Sequence, residues 1–260
     1  MKKSKPYYLF LALAAVVFIA SLVLYYIPQF VFIEDETVNE LIFGVLIRGS
    51  VSVLLILLAL GNSDGYLLAP NRKELGKNLL LFLPCFAVAV VNFPFSALIS
   101  GSASIDRPEL IWLFFLSCLT IGVSEEIFFR GLLQTYLSGV FKNSRIGIML
   151  TVIVTAAAFA LWHLFNAFTS SLGSVLYQVS YTFLLGGMLS ALMLMTKDIW
   201  LCVTFHTLFD FGGHIVNTLG HGAFQDTVFW ILTYSVGILC GAYIVYNLIR
   251  LQFKKKSDEK

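Results

Sequence analysis

The stretch Leu110–Leu133, LIWLFFLSCLTIGVSEEIFFRGLL, sets Glu125, Glu126 and Arg130 inside a run that is otherwise apolar. As a helix this run is long enough to cross a hydrocarbon core roughly 30 Å thick. A charge near the bilayer centre costs about 2.5–3.5 kcal/mol on insertion scales, so ionisable groups at that depth face a protein interior or a water-filled cavity and mark function. Three such groups in one span require other helices to receive them.

The composition supplies those helices. Of the 260 residues, 58% are hydrophobic and 12% are charged, against roughly 25% charged in soluble domains. Apolar runs of span length recur along the whole chain, which predicts an all-α, polytopic membrane helix bundle of about eight transmembrane helices. The spans fall at roughly 7–31, 41–60, 79–99, 110–135, 146–168, 174–196, 199–217 and 228–250. Residues 1–260 read as a single membrane domain, with no room between spans for a separate soluble domain. The basic start and apolar run from Tyr7 to Tyr26 are longer than a typical signal-peptide core and lack a small-x-small cleavage site, so a retained first span is expected. Cys85, Cys118, Cys202 and Cys240 lie within spans at irregular spacing and suggest neither a zinc pattern nor a disulfide framework.

Loop charge predicts orientation. Of the 17 basic residues, 14 fall on one side of an eight-span chain, among them Arg72, Lys73, Lys77, Lys142, Arg145, Lys197 and the cluster Lys254–Lys256. Only Arg107 is in a loop on the other side, where the acidic stretch EDETVNE at 34–40 also lies. The excess of Lys and Arg on cytoplasmic loops then puts both termini in the cytoplasm. Short loops and the absence of an organellar targeting segment point to a bacterial plasma membrane.

Two basic residues, Arg48 and Arg130, are inside spans. Glu126 is four residues before Arg130 and about 40° away around a helix, a natural partner. Glu125 is about 140° from Arg130 by the same arithmetic and is left for another task. Arg48 could be a second partner of either glutamate. The fifth span carries His163 after Phe159, in FALWHLFNAF, and the seventh carries His206 and Asp210 in LCVTFHTLFDF. An i, i+4 His and Asp share a face and can jointly hold a water, a metal or each other. His214 and His221, farther along, are expected to be solvated or interfacial, and Phe159 to pack beneath its neighbour. In the sixth span Gly186, Gly187, Ser190 and Ala191 are small enough for close helix packing, as are Gly237 and Gly241 in the eighth. Two glutamates, two histidines and an aspartate from three helices make a plausible water-activating site, because burial disfavours the charged form of a carboxyl and suits it to act as a general base.

In order, SEEIFFRG, FALWH and HTLFD resemble the three-motif signature of the CAAX prenyl protease and bacteriocin-processing family (CPBP, also called Abi) of intramembrane proteases. The resemblance covers about residues 110–215, the motif-bearing core. It implies a hydrolase that cuts a peptide bond in a membrane-associated peptide or protein. Glu125 would activate the water, His163 would share in proton transfer, His206 and Asp210 would line the site and stabilise the oxyanion, and Glu126 and Arg130 would orient it. The family is often labelled metalloprotease, and zinc on Glu125, His163 and His206 is compatible with those residue types, but HExxH is absent and related structures are usually read as glutamate-dependent without a tightly bound ion. The cofactor is left unassigned. Bacterial relatives are linked to peptide or bacteriocin processing, immunity and surface regulation.

Two other classes compete: a catalytically silent scaffold regulating a membrane-protein partner such as a sensor kinase, and a proton-coupled transporter. The first would be favoured by loss of a motif residue, and none is lost. The second would show paired halves with interrupted helices, and none is evident. No nucleic-acid partner is indicated. One tension stands: at 1.5 Å per residue, His206 lies only about 10 Å into its span from the basic side and His163 about 25 Å into its own. Bringing both to one site calls for a fifth helix that starts later or tilts strongly, with a funnel opening to the cytoplasm.

Overall fold

The structure is a computed structural model, described over residues 7–26, 31–63 and 66–258. Its elements in order are α1 (Tyr7–Tyr26), α2 (Glu36–Ser63), α3 (Leu75–Val91), α4 (Phe95–Ser100), β1 (Ala103–Ile105), α5 (Ile111–Glu126), a π-helical segment (Ile127–Leu133), α6 (Gln134–Val140), α7 (Gly147–Trp162), a 3-10 segment (His163–Phe168), α8 (Leu172–Thr196), α9 (Ile199–Leu219), β2 (Gly220–Gly222) and α10 (Thr227–Asp258). Seven described helical stretches are long and apolar enough to cross a membrane, and the first helix contributes a shorter apolar stretch, Tyr8–Ser21. The all-α polytopic bundle read from the sequence is therefore the fold. The expected first span reached residue 31, whereas α1 ends at Tyr26 and residues 27–30 lie outside the described residues.

The outward faces are as apolar as the core. Leu57, Leu184 and Ile238 are 58%, 71% and 70% exposed, as expected where the surrounding medium is hydrocarbon. Inside, small residues set the closest approaches. A Cβ built on Gly122 of α5 would stand 2.7 Å from Thr207 Oγ1 of α9, and one on Gly186 of α8 would stand 3.2 Å from the Cα of Ala156 on α7. Gly187, Gly237 and Gly241 have open space at the same position. The expected close packing at these three is thus corrected: nothing lies within 4 Å of a Cβ built there.

The third expected span is broken. Pro94 offers no N–H and disfavours helical geometry at Phe93, so α3 ends at Val91 and α4 restarts after the proline. Asn92 in this break donates from Nδ2 to the Phe209 carbonyl at 2.7 Å, tying it to α9.

The turn between α8 and α9 lies below the bundle end. Lys197 closes α8 in the left-handed region (φ 56°), and Asp198 caps α9 by accepting from Trp200 N at 3.1 Å and from Asn71 N at 3.2 Å. Asn71 and Asn78 both donate to the Thr196 carbonyl, and Trp200 Nε1 donates to the Leu68 carbonyl. Residues 66–78 thus cover the turn, leaving Asp198 and Ile199 4% and 1% exposed. This resolves the depth tension. The helix bearing His163 starts at Gly147, where the sequence placed it, but α9 starts beneath a cover, so His206 sits deeper than its distance along α9 implies.

At the other end of α9, β2 pairs antiparallel with β1, with Ala103 opposite Gly222 and Ile105 opposite Gly220. Arg107, beside this ribbon, bonds Asp35 ahead of α2 at 2.9 Å and Glu109 at 3.1 Å. His221 Nδ1 lies 2.6 Å from Asp106 on the exposed face of the ribbon.

Candidate active site

Glu126 and Arg130 form the buried base of the site. Arg130 Nη1 donates to Glu126 Oε1 at 2.9 Å, and both side chains are 0% exposed. Arg130 Nη2 also donates to the Gly186 carbonyl at 3.3 Å, and its guanidinium lies 4.2 Å from the centroid of the Phe159 ring. Stacking a weakly hydrated guanidinium on an aromatic face lowers the cost of burying it. Arg130 belongs to the π-helical segment, a form that recurs at functional sites. In the same segment a Cβ on Gly131 would come within 3.2 Å of Leu67 and Ile199 side-chain atoms, so glycine admits the cover and the start of α9.

Glu126 Oε1 accepts a second hydrogen bond, from His206 Nδ1 at 2.7 Å. A carboxylate can only accept, so Nδ1 carries its proton and the other ring nitrogen is turned toward the cavity. His206 Nε2 lies 3.5 Å from Asp210 Oδ2 and 3.8 Å from Glu125 Oε2. Both separations are long for a hydrogen bond and suit a shared water. Glu125 Oε2 is buried with no hydrogen-bond partner among the described residues.

His163 begins the 3-10 segment, and its Nδ1 is 2.8 Å from the Phe159 carbonyl. The carbonyl only accepts, which places the proton on Nδ1 and leaves Nε2 with a lone pair when the ring is neutral. Phe159 joins the two histidines: its ring meets that of His163 edge-on at 4.9 Å and that of His206 at 5.7 Å. It is more than a support for its neighbour, since it also carries Arg130.

A cavity of about 240 Å³ is lined by Glu125, His163, His206 and Asp210 together. The two glutamates part as the helical arithmetic expects, Glu125 to the cavity and Glu126 to the ion pair. The lining also takes in residues outside the expected site: Arg48 from α2, Gln178, Tyr181 and Thr182 from α8, Asn166 and His214. Arg48, expected as a second partner of either glutamate, lines the same cavity as Glu125. His214 is exposed as expected, yet it belongs to the lining. Both signals were present in the sequence: His206, Asp210 and His214 repeat at i, i+4, i+8, and Gln178, Tyr181, Thr182 and Leu185 fall at i, i+3, i+4, i+7, one helix face each.

The cavity ends on Leu189 and Phe205, each 1% exposed. Below them lies the buried layer of Glu126, Arg130 and Gln134, with Gln134 Nε2 bonded to the Ser190 carbonyl at 2.9 Å. At its other end Asn166, Gln178 and Tyr181 are half-buried and His214 is exposed. It therefore opens where α7 ends and α8 begins, away from the basic loops, which corrects the expected funnel toward the basic side. That expectation placed His206 near its surface and overlooked the cover on α9.

Among the described residues, no group of three or more His, Cys, Asp and Glu side chains is arranged to hold a metal ion. The conditional zinc set of Glu125, His163 and His206 is not such a group. The four cysteines are free and buried.

A polytopic helical membrane protein with carboxylates and imidazoles gathered on the wall of an internal cavity is the class that fold and site define. Residues 107–212, which hold all three motifs, match the family described as Rce1-like, type II CAAX prenyl endopeptidase. The resemblance read from SEEIFFRG, FALWH and HTLFD is thereby shown over that segment, and it supports a CAAX-protease-like intramembrane endopeptidase in general terms. No curated protein and no solved structure matches the chain.

Proposed function

We propose that the chain is an intramembrane endopeptidase that hydrolyses a peptide bond in a membrane-associated peptide or protein, with Glu125 as the base that activates water. The observation that carries this reading is Glu125 Oε2, a buried carboxylate oxygen with no hydrogen-bond partner among the described residues, on a cavity wall 3.8 Å from His206 Nε2. A water between them would give one proton to Glu125 as its oxygen attacks the scissile carbonyl carbon. The oxyanion so formed would accept a hydrogen bond from His206 in its doubly protonated form, with Nδ1–H held by Glu126 and Nε2 directed at the cavity beside Asp210. As the C–N bond breaks, the proton on Glu125 passes to the leaving nitrogen, with His163 Nε2 as relay, and the products are a carboxylic acid and an amine. Glu126 and Arg130 touch no substrate in this scheme and act by orienting His206.

By the same reading the protein works in a bacterial plasma membrane with both termini cytoplasmic, on substrates such as processed peptides or surface proteins. The test is cleavage of a panel of lipidated and hydrophobic peptides by purified protein, followed by mass spectrometry. Glu125→Gln should lower the rate about 100- to 10,000-fold, the usual weight of a general base, and His163→Ala should also lower it, with both variants folded. Cleavage by Glu125→Gln at the wild-type rate would overturn the assignment.

A further inference from the structure

The cavity is closed at one end of the bundle and open at the other, and the two ends differ in charge. At the closed end the wall stops on Leu189 and Phe205, above the fully buried Glu126 and Arg130, and residues 66–78 seal the α8–α9 turn beneath. The basic side chains Arg72, Lys73, Lys77, Lys142, Arg145 and Lys197 lie in or next to the connections at this end. At the open end are Asn166, Gln178 and the exposed His214, and the flanking loops carry Asp35, Asp106, Glu109 and Asp226, with Arg107 tied to two of them.

We infer that the site takes its substrate from the non-cytoplasmic side of the membrane. Lys and Arg in short loops are retained on the cytoplasmic side, which makes the sealed end cytoplasmic and the polar mouth external. A water drawn to Glu125 then comes from outside the cell. The substrate bond is one presented at the outer half of the bilayer: in an exported peptide, or in the outer juxtamembrane segment of a membrane protein. This deepens the endopeptidase reading by naming the side from which its substrate comes.

Two single-cysteine additions test it in the full-length protein, whose native cysteines are buried. His214→Cys lies at the mouth and Asn143→Cys in a basic loop, both at exposed positions. Intact cells are treated with a membrane-impermeant thiol reagent, with a cytosolic thiol protein as leak control and denatured protein as control for reactivity. The expected result is labelling of His214→Cys as full in intact as in permeabilised cells, and of Asn143→Cys only after permeabilisation. Labelling of Asn143→Cys in intact cells, or failure of His214→Cys to label until the cells are opened, overturns the inference. Labelling needs no turnover. A protein that labels as expected yet shows no Glu125-dependent cleavage would lose the endopeptidase reading and keep its external mouth.

Discussion

Glu126 is held by two donors on one oxygen, Arg130 at 2.9 Å and His206 at 2.7 Å, in a site with no exposure of either charge. Removing one member of such a pair leaves an uncompensated buried charge, which costs about 3–5 kcal/mol, whereas replacing both by apolar side chains of similar volume is often neutral. Arg130→Met alone should therefore unfold at markedly lower denaturant or temperature than wild type, while Glu126→Leu/Arg130→Met recovers much of the loss. The double variant should remain without peptide cleavage, because His206 has lost the acceptor that fixes its ring. Recovery of both stability and activity would show that Glu126 does not orient His206. The pairing of Glu126 with Arg130 was readable from their i, i+4 spacing. Its second bond, across the bundle to His206, was not, because no local rule places α9 beside α5.

At the scale of elements, α5 and α9 approach through Gly122. Alanine in a helix interior normally gains about 0.5–1 kcal/mol over glycine, but here its methyl would meet Thr207 Oγ1 at 2.7 Å. Gly122→Ala should thus lower thermal stability in detergent and disturb the neighbouring glutamates, whereas Gly187→Ala, facing open space, should leave stability unchanged or raised. Equal effects of the two would place the helix contact elsewhere. The start of α2 is tied to that of α5 by Asp35 and Arg107, and the hydrogen bond from Arg107 holds the Asp35 carboxyl below the usual carboxylate range. A depressed folded value stabilises the protein above the unfolded value of about 3.9 and is lost as pH falls through the folded one. An acid titration of stability should accordingly show a component below about pH 4 that is absent in Asp35→Asn. A titration unchanged by that substitution would mean that the pair does not hold these helix starts together.

For the whole molecule, the bundle separates a basic end, sealed by the α8–α9 turn and its cover, from an end that carries the ribbon and the cavity mouth. If loop charge sets the topology, a reporter that fluoresces only in the cytoplasm should be bright when fused after Lys260. A dark, correctly inserted fusion would invert the bundle and place the cavity mouth in the cytoplasm. The lateral surface is largely apolar, so the distribution of charge between the ends, and not the net charge of +2, carries the topological information.

The sequence by itself determined the spans, their number and most of their limits, because burial in hydrocarbon forces each segment to satisfy its own backbone and to show its length as an apolar run. It also named Glu125, Glu126, Arg130, His163, His206 and Asp210 as the set to watch, since ionisable groups are conspicuous at that depth. Only the tertiary structure decided how they meet. The ring of Phe159 between two histidines, the cover that sinks α9, the cavity wall completed by Arg48 and His214, and the end at which the cavity opens all depend on contacts between residues far apart in the chain. Helical periodicity assigns a face to each residue, but it does not say which helix lies opposite or at what depth that helix begins.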